Sequence, residues 1–123
     1  MTLRELYDQI GGSYDEALSR LRAEKLIGKF VVRFLDDHSC QDLFDAWSRG
    51  DEAAAFEAAH AAKGVCANLS LTSLAMPASA ITEALRPGNE SLRVTTDVDS
   101  LIEELRAAYE RAVERISSYA ESL

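Results

Sequence analysis

The chain is poor in the residues that cross-link, punctuate or ligate. Its 123 residues include two cysteines, two prolines, six glycines, two histidines and one tryptophan. Cys40 and Cys66 are too few for a disulfide framework and stand in no CxxC pair, so a reduced, cytoplasmic setting is expected. Positive charge is also scarce, with 13 Lys and Arg against 21 Asp and Glu and a net charge of -8. That balance argues against a nucleic-acid partner, which needs clustered cations. It argues equally against docking on an anionic membrane surface. No apolar run approaches the roughly 18 residues of a membrane span. The opening Met1-Thr2-Leu3-Arg4-Glu5 turns polar too soon for a signal-peptide core. Two histidines leave little room for His-rich chemistry.

What is abundant is helix former. Ala, Leu, Glu and Arg make up 56 of the 123 residues, and all four favour helix. Thr2 with Glu5, and Ser13 with Glu16, have the spacing of capping boxes, and Gly11-Gly12 ends the first short helix. Leu26, Ile27, Phe30, Val31, Phe34 and Leu35 form a helical stripe within a segment from about 24 to 36. Asp36 to Ser39 reads as a turn with Ser39 as the next N-cap. A short helix bearing Leu43, Phe44 and Trp47 follows, these three expected to fill the core. Asp51 caps a helix running to about Leu69. The next helix is expected over about 73–86, starting near Met76 or bending there because Pro77 removes a hydrogen bond. Residues 87–96 read as a polar loop. A last helix over about 97–121 has Leu101, Leu105, Tyr109, Ala112, Ile116 and Tyr119 on one side. Short connections make successive helices antiparallel. The expected fold is all-α: an up-down four-helix bundle with short N-terminal capping helices, one domain over 1–123.

The Asp51-capped helix is the informative one. With His60 at 0° and about 100° per residue, Ala55, Ala58, Ala59, Ala62, Val65, Cys66 and Leu69 fall on one continuous apolar face. His60 points the other way. Beside it lie Ala53, Phe56, Glu57, Lys63, Gly64 and Ala67, and Leu71 if the helix reached it. Lys63 and Gly64, at i+3 and i+4, share its face. A helix-interior glycine costs about 1 kcal/mol relative to alanine, and here it bares the backbone next to an imidazole. An imidazole near its reference pKa of about 6.5 is substantially neutral at cytoplasmic pH and can act as a nucleophile. Attack on a phosphoryl group gives a phosphoramidate, and Lys63 can screen its oxygens. Phosphoryl transfer asks mainly for positioning and charge compensation. Against this stands the plain reading that a lone histidine is an idle surface residue, Lys63 a solvated charge and Gly64 an aid to helix packing. The orientation of Gly64 away from the apolar stripe weakens the last of these.

The run Phe56-Glu57-Ala58-Ala59-His60-Ala61-Ala62-Lys63-Gly64-Val65-Cys66-Ala67-Asn68-Leu69 resembles the signature of the histidine-containing phosphotransfer (HPt) domain family. Gly50-Asp51 resembles its lead-in. The resemblance implies that His60 is the phospho-accepting residue, that Lys63 stabilises the phosphoryl group and that Gly64 gives a receiver domain access. It departs from the family at Ser70, where glycine is usual after Asn-Leu, and at Pro77, since the family's next helix usually lacks proline. It implies a phosphocarrier without kinase activity, in line with the absence of a P-loop, a Gly-rich nucleotide box or a βαβ pattern. The implied partners are receiver domains of response regulators or of a hybrid histidine kinase. No cofactor is expected on this chain, and magnesium is expected on the receiver. A monomer is expected, with Phe56, Ala67 and the N-terminal helices bordering the docking surface.

Two competing readings fit the same residues. One is a helical adaptor that docks on a receiver or other regulator through an exposed Phe56 without accepting phosphate. The other is a metal site using His38 or His60 with Asp36, Asp37 or the cysteines, although their spacing matches no zinc pattern. His38 reads most simply as a solvated loop residue. Cys66 reads as core and Cys40 as half-buried, neither with the flanking positive charge of a reactive thiol.

Overall fold

A computed structural model describes residues 1–123. It contains helices and no strand. The capping residues explain where the first helices begin. In α1 (Leu3–Ile10), Thr2 Oγ1 accepts from the Glu5 N–H at 3.1 Å and Glu5 Oε1 accepts from the Thr2 N–H at 2.8 Å, a complete capping box. Gly11, at φ +70°, stops this helix in the left-handed region. Ser13 caps α2 (Tyr14–Leu21) by accepting from the Glu16 N–H. In α3 (Glu24–Arg33), Ile27 and Val31 are buried, whereas Leu26 from the expected stripe is exposed. The segment then tightens into a 3-10 turn over Phe34–Asp36.

Four elements close a ring. They are α4 (Ser39–Ser48), α5 (Glu52–Asn68), α6 (Thr72–Leu85) and α8 (Val98–Glu121). Helix α4 packs on α5, α5 on α6, α6 on α8, and α8 back on α4. This is the expected all-α bundle. Thirty buried apolar side chains form one connected core, with Leu43 of α4, Ile81 of α6, and Leu105 and Ile116 of α8 fully enclosed. The buried face of α5 is almost entirely small: Ala55, Ala59, Ala62 and Cys66. Small side chains let helix axes approach closely, which explains how α5 sits between α4 and α6. Trp47 is only partly buried, and its Nε1 donates to Asp99 on α8 at 2.7 Å. Tyr109 stands edge-on to both Phe34 and Phe44 at 6.0 Å.

Four expectations are corrected. Ser39 is not the cap of α4: it is the first helical residue, and the Asp37 carboxylate accepts from both its N–H and its hydroxyl. The polar stretch 87–96 contains α7 (Glu90–Thr95), held to the bundle by Arg93. The Arg93 guanidinium lies over Trp47 and pairs with both Glu52 oxygens at 3.0 and 3.2 Å. Helix α6 spans Thr72–Leu85, close to the expected 73–86, and it does not begin near Met76: Pro77 is buried inside it. Its first turn survives the missing donor because outside partners hold it: the Ser73 N–H donates to Gly11 O at 3.0 Å and the Ser73 hydroxyl to Ile10 O at 2.6 Å. Cys40 is fully buried, 1% exposed, where the α4 start meets α5.

The N-terminal pair is also fastened to the end of α5. The Tyr7 hydroxyl donates to Leu69 O at 2.8 Å in a buried bond. Arg20 Nη1 donates to Ala67 O and to Ser70 Oγ, both at 2.7 Å. The Ser13 N–H donates to Ser70 O at 2.9 Å. Gly12 makes this approach possible, since a Cβ there would lie 2.8 Å from the Tyr7 ring and 2.9 Å from Ser70 O.

Candidate functional site

Helix α5 carries the site on the face opposite its alanine stripe. Asp51 Oδ1 accepts from the Ala54 N–H at 3.1 Å and fixes the helix start. The helix then runs 17 residues, with His60 in the middle. His60, Gly64 and Ala67 are exposed, and Lys63 and Phe56 are half-buried. The helix-wheel placement of these five therefore holds, and Ala55, Ala59, Ala62, Cys66 and Leu69 are buried as expected. Ala58 and Val65, expected on the same buried face, are only partly buried, and the helix does not reach Leu71. Helix α5 ends at Asn68, and Leu71 turns into the core before α6.

Above Gly64 the surface is empty. A Cβ built there meets nothing within 4 Å. This glycine therefore serves no packing contact within the chain. To one side, a cleft of about 500 Å3 opens between Phe30, Arg33 and Phe34 on one wall and Gly64, Val65 and Asn68 on the other. Lys63 forms no ion pair within 4 Å of a carboxylate, so its ammonium group is available to an anion arriving at His60.

On the other side of His60 the structure adds residues that the sequence reading did not single out. The Phe56 ring is parallel to the imidazole, with an 8° interplanar angle and centroids 6.1 Å apart. Arg86, which follows the last residue of α6, lies over the Phe56 ring at 5.3 Å. Its guanidinium is gripped in turn by Glu83, Nε to Oε2 at 3.0 Å and Nη2 to Oε1 at 3.2 Å. Hydrogen bonds from Arg86 hold the Glu83 carboxyl below the usual carboxylate range, and the charges of Arg86, Lys63 and His60 act in the same direction. Glu83 and Arg86 stand three residues apart in the sequence, a spacing that carries no link to His60. Their place beside His60 depends on how α6 lies against α5. Phe56 is thus not the free exposed ring that an adaptor surface would use.

His38 is exposed, with Nδ1 at 2.8 Å from Gln41 Oε1. No three His, Cys, Asp or Glu side chains gather as a group able to hold a metal ion. Cys40 and Cys66 are both buried. The neighbouring Cys40 thiol and burial push the Cys66 thiol up, away from the reactive thiolate range. No helix is long and apolar enough to cross a membrane.

Chemically, the site offers an exposed imidazole, one unpaired cation a turn away, bare backbone on the same face and an apolar-walled cleft alongside. Such a surface can carry a group on the imidazole. Comparison with curated proteins and with solved structures finds no match. The family model of the Hpt domain matches residues 29–115, from within α3 through most of α8. That span is well over half of the sequence and contains both His60 and the α6 residues around it, and the chain accordingly belongs to the Hpt domain family, which serves histidine phosphotransfer in two-component signalling.

Proposed function

We propose that this protein is a phosphocarrier of a multistep phosphorelay, with His60 as the group that takes and gives the phosphoryl. A neutral ring nitrogen of His60 attacks the phosphorus of a receiver's aspartyl phosphate. The new N–P bond forms as the acyl O–P bond breaks, and the aspartate leaves as a carboxylate. Transfer to a second receiver runs the same step in reverse. Lys63 offsets charge on the phosphoryl oxygens, and Gly64 leaves room for the receiver's aspartate to reach the ring. Phe56 and Ala67 border the docking surface together with the cleft beside α3. Magnesium stays with the receiver, and the protein itself needs neither cofactor nor kinase activity. It acts as a cytoplasmic monomer, one domain over 1–123, without nucleic acid or membrane.

The observation that carries this reading is the pairing of an exposed His60, in mid-helix, with open space above Gly64 one turn later. Incubation with phosphorylated receivers should yield an acid-labile label on the protein. His60→Gln should abolish it, and label retained in that variant would sink the assignment. Lys63→Ala should slow transfer about tenfold with the bundle still folded, the scale of one lost charge-assisted hydrogen bond.

A further inference from the structure

We propose that Phe56 is a positioning residue for His60, braced by the Arg86–Glu83 pair at the end of α6, and that this stack sets the direction from which the imidazole can be approached. The inference deepens the proposal above and rests on His60 as the phospho-acceptor.

An exposed histidine on a helix is ordinarily loose, because its terminal torsion is broad. His60 is not left to that freedom. Cα–Cβ bonds on a helix tilt toward its N-terminus, so a side chain leans over the preceding turn. The preceding turn on this face presents Phe56, and its ring lies parallel to the imidazole at 6.1 Å and 8°. The following turn presents Gly64, with nothing above it. The ring therefore has an aromatic wall on its N-terminal side and a void on its C-terminal side.

The chemistry makes this arrangement useful. The lone pair of an imidazole nitrogen lies in the plane of the ring, not above it. A stacked neighbour hinders rotation of the ring while leaving the nucleophilic edge uncovered. Phe56 is itself restrained from a second helix. Arg86 lies 5.3 Å from its centroid, and the Glu83 carboxylate accepts from Nε and Nη2 along one edge of the guanidinium. Helix α6 thus reaches the reacting group through Phe56, with no side chain of α6 standing in the path over Gly64.

The test compares wild type, Phe56→Leu and Phe56→Tyr in the full chain, with phosphoramidate as a small donor. In that reaction the His60–phosphorus bond forms as the donor's N–P bond breaks, and ammonia leaves. A small donor separates ring positioning from receiver docking. Side-chain NMR of the His60 imidazole supplies the second readout, since a stacked ring displaces its proton signals. Phe56→Leu should label about 3- to 10-fold more slowly and lose the displacement. Phe56→Tyr, which keeps the stack, should restore both. Arg86→Gln, at a partly exposed pair, should reduce the displacement and keeps the test readable if Phe56→Leu does not fold. Wild-type labelling in Phe56→Leu, unmoved imidazole signals, or equal slowing in Phe56→Tyr would each overturn the proposal. If wild type took no label, the phospho-acceptor reading would fall, and the imidazole signals alone would decide whether the stack exists.

Discussion

Gly64 separates the needs of the fold from the needs of the site. In a helix interior it is unfavourable by about 1 kcal/mol against alanine, and no neighbour requires it to be small. Gly64→Ala should therefore raise the unfolding free energy by about 0.5–1 kcal/mol in a urea titration. Gly64→Leu should keep the bundle folded yet cut transfer from a receiver by tenfold or more, because the added side chain fills the approach to His60. Retained transfer in Gly64→Leu would mean that the space has no role. At this scale much was readable in advance. A constant turn angle places His60, Lys63, Gly64 and Ala67 on one face and Ala55, Ala59 and Ala62 on the other. The Phe56–Arg86–Glu83 chain was not readable, since Arg86 comes from the end of a different helix and local spacing says nothing about which helix faces which.

The helices follow their caps where the cap is local. Thr2, Ser13, Asp51 and Asp97 each accept from a backbone N–H three residues on, and each stands where the sequence suggests a start. Reading fails where an end is fixed from outside. Helix α6 begins before its proline because Ser73 is tied to Gly11 and Ile10, residues more than sixty positions away. Helix α7 exists in a polar stretch because Arg93 reaches Trp47 and Glu52. The end of α5 is a similar case. Ser70, where the family usually has glycine, adopts φ +56°, a conformation unfavourable for a residue with a Cβ. Its hydroxyl compensates by accepting from Arg20 at 2.7 Å. Ser70→Ala keeps the strain and loses the bond, so it should destabilise by about 1 kcal/mol. Ser70→Gly loses the bond but relaxes the backbone and should cost less. The ranking can be read from urea midpoints, and an equal or reversed order would refute the compensation.

Across the whole molecule, the stability has an acid-sensitive side. Hydrogen bonds from Arg93 hold Glu52 below the usual carboxylate range, tying α7 to the start of α5. A carboxyl with a depressed folded pKa contributes stability that is present above its unfolded pKa and is lost as pH falls through the folded value. The thermal midpoint of wild type should therefore exceed that of Glu52→Gln at neutral pH, and the gap should close below the ordinary carboxylate range. A gap constant with pH would show that the charge plays no part. Comparing two variants in this way cancels the general self-repulsion of a chain with net charge -8. The helical class was legible at this scale from composition and periodicity alone. The attachment of α1 and α2 was not, because hydroxyl-to-carbonyl and arginine-to-carbonyl bonds between distant segments leave no periodic trace.

That attachment bears on how the protein can be divided. The family match starts at residue 29 and stops at 115, but Tyr7, Ser13 and Arg20 hold the end of the helix that carries His60. Ile116 and Tyr119 bury their side chains beyond the other limit. A fragment cut to the matched span would bare the carbonyls of Ala67 and Leu69 and uncover the faces against which Leu6, Tyr7 and Ile10 now lie. Anyone grafting this carrier into a fusion should place the seams outside residues 2 and 121. The boundary that sequence similarity draws is here narrower than the unit that keeps the histidine helix intact.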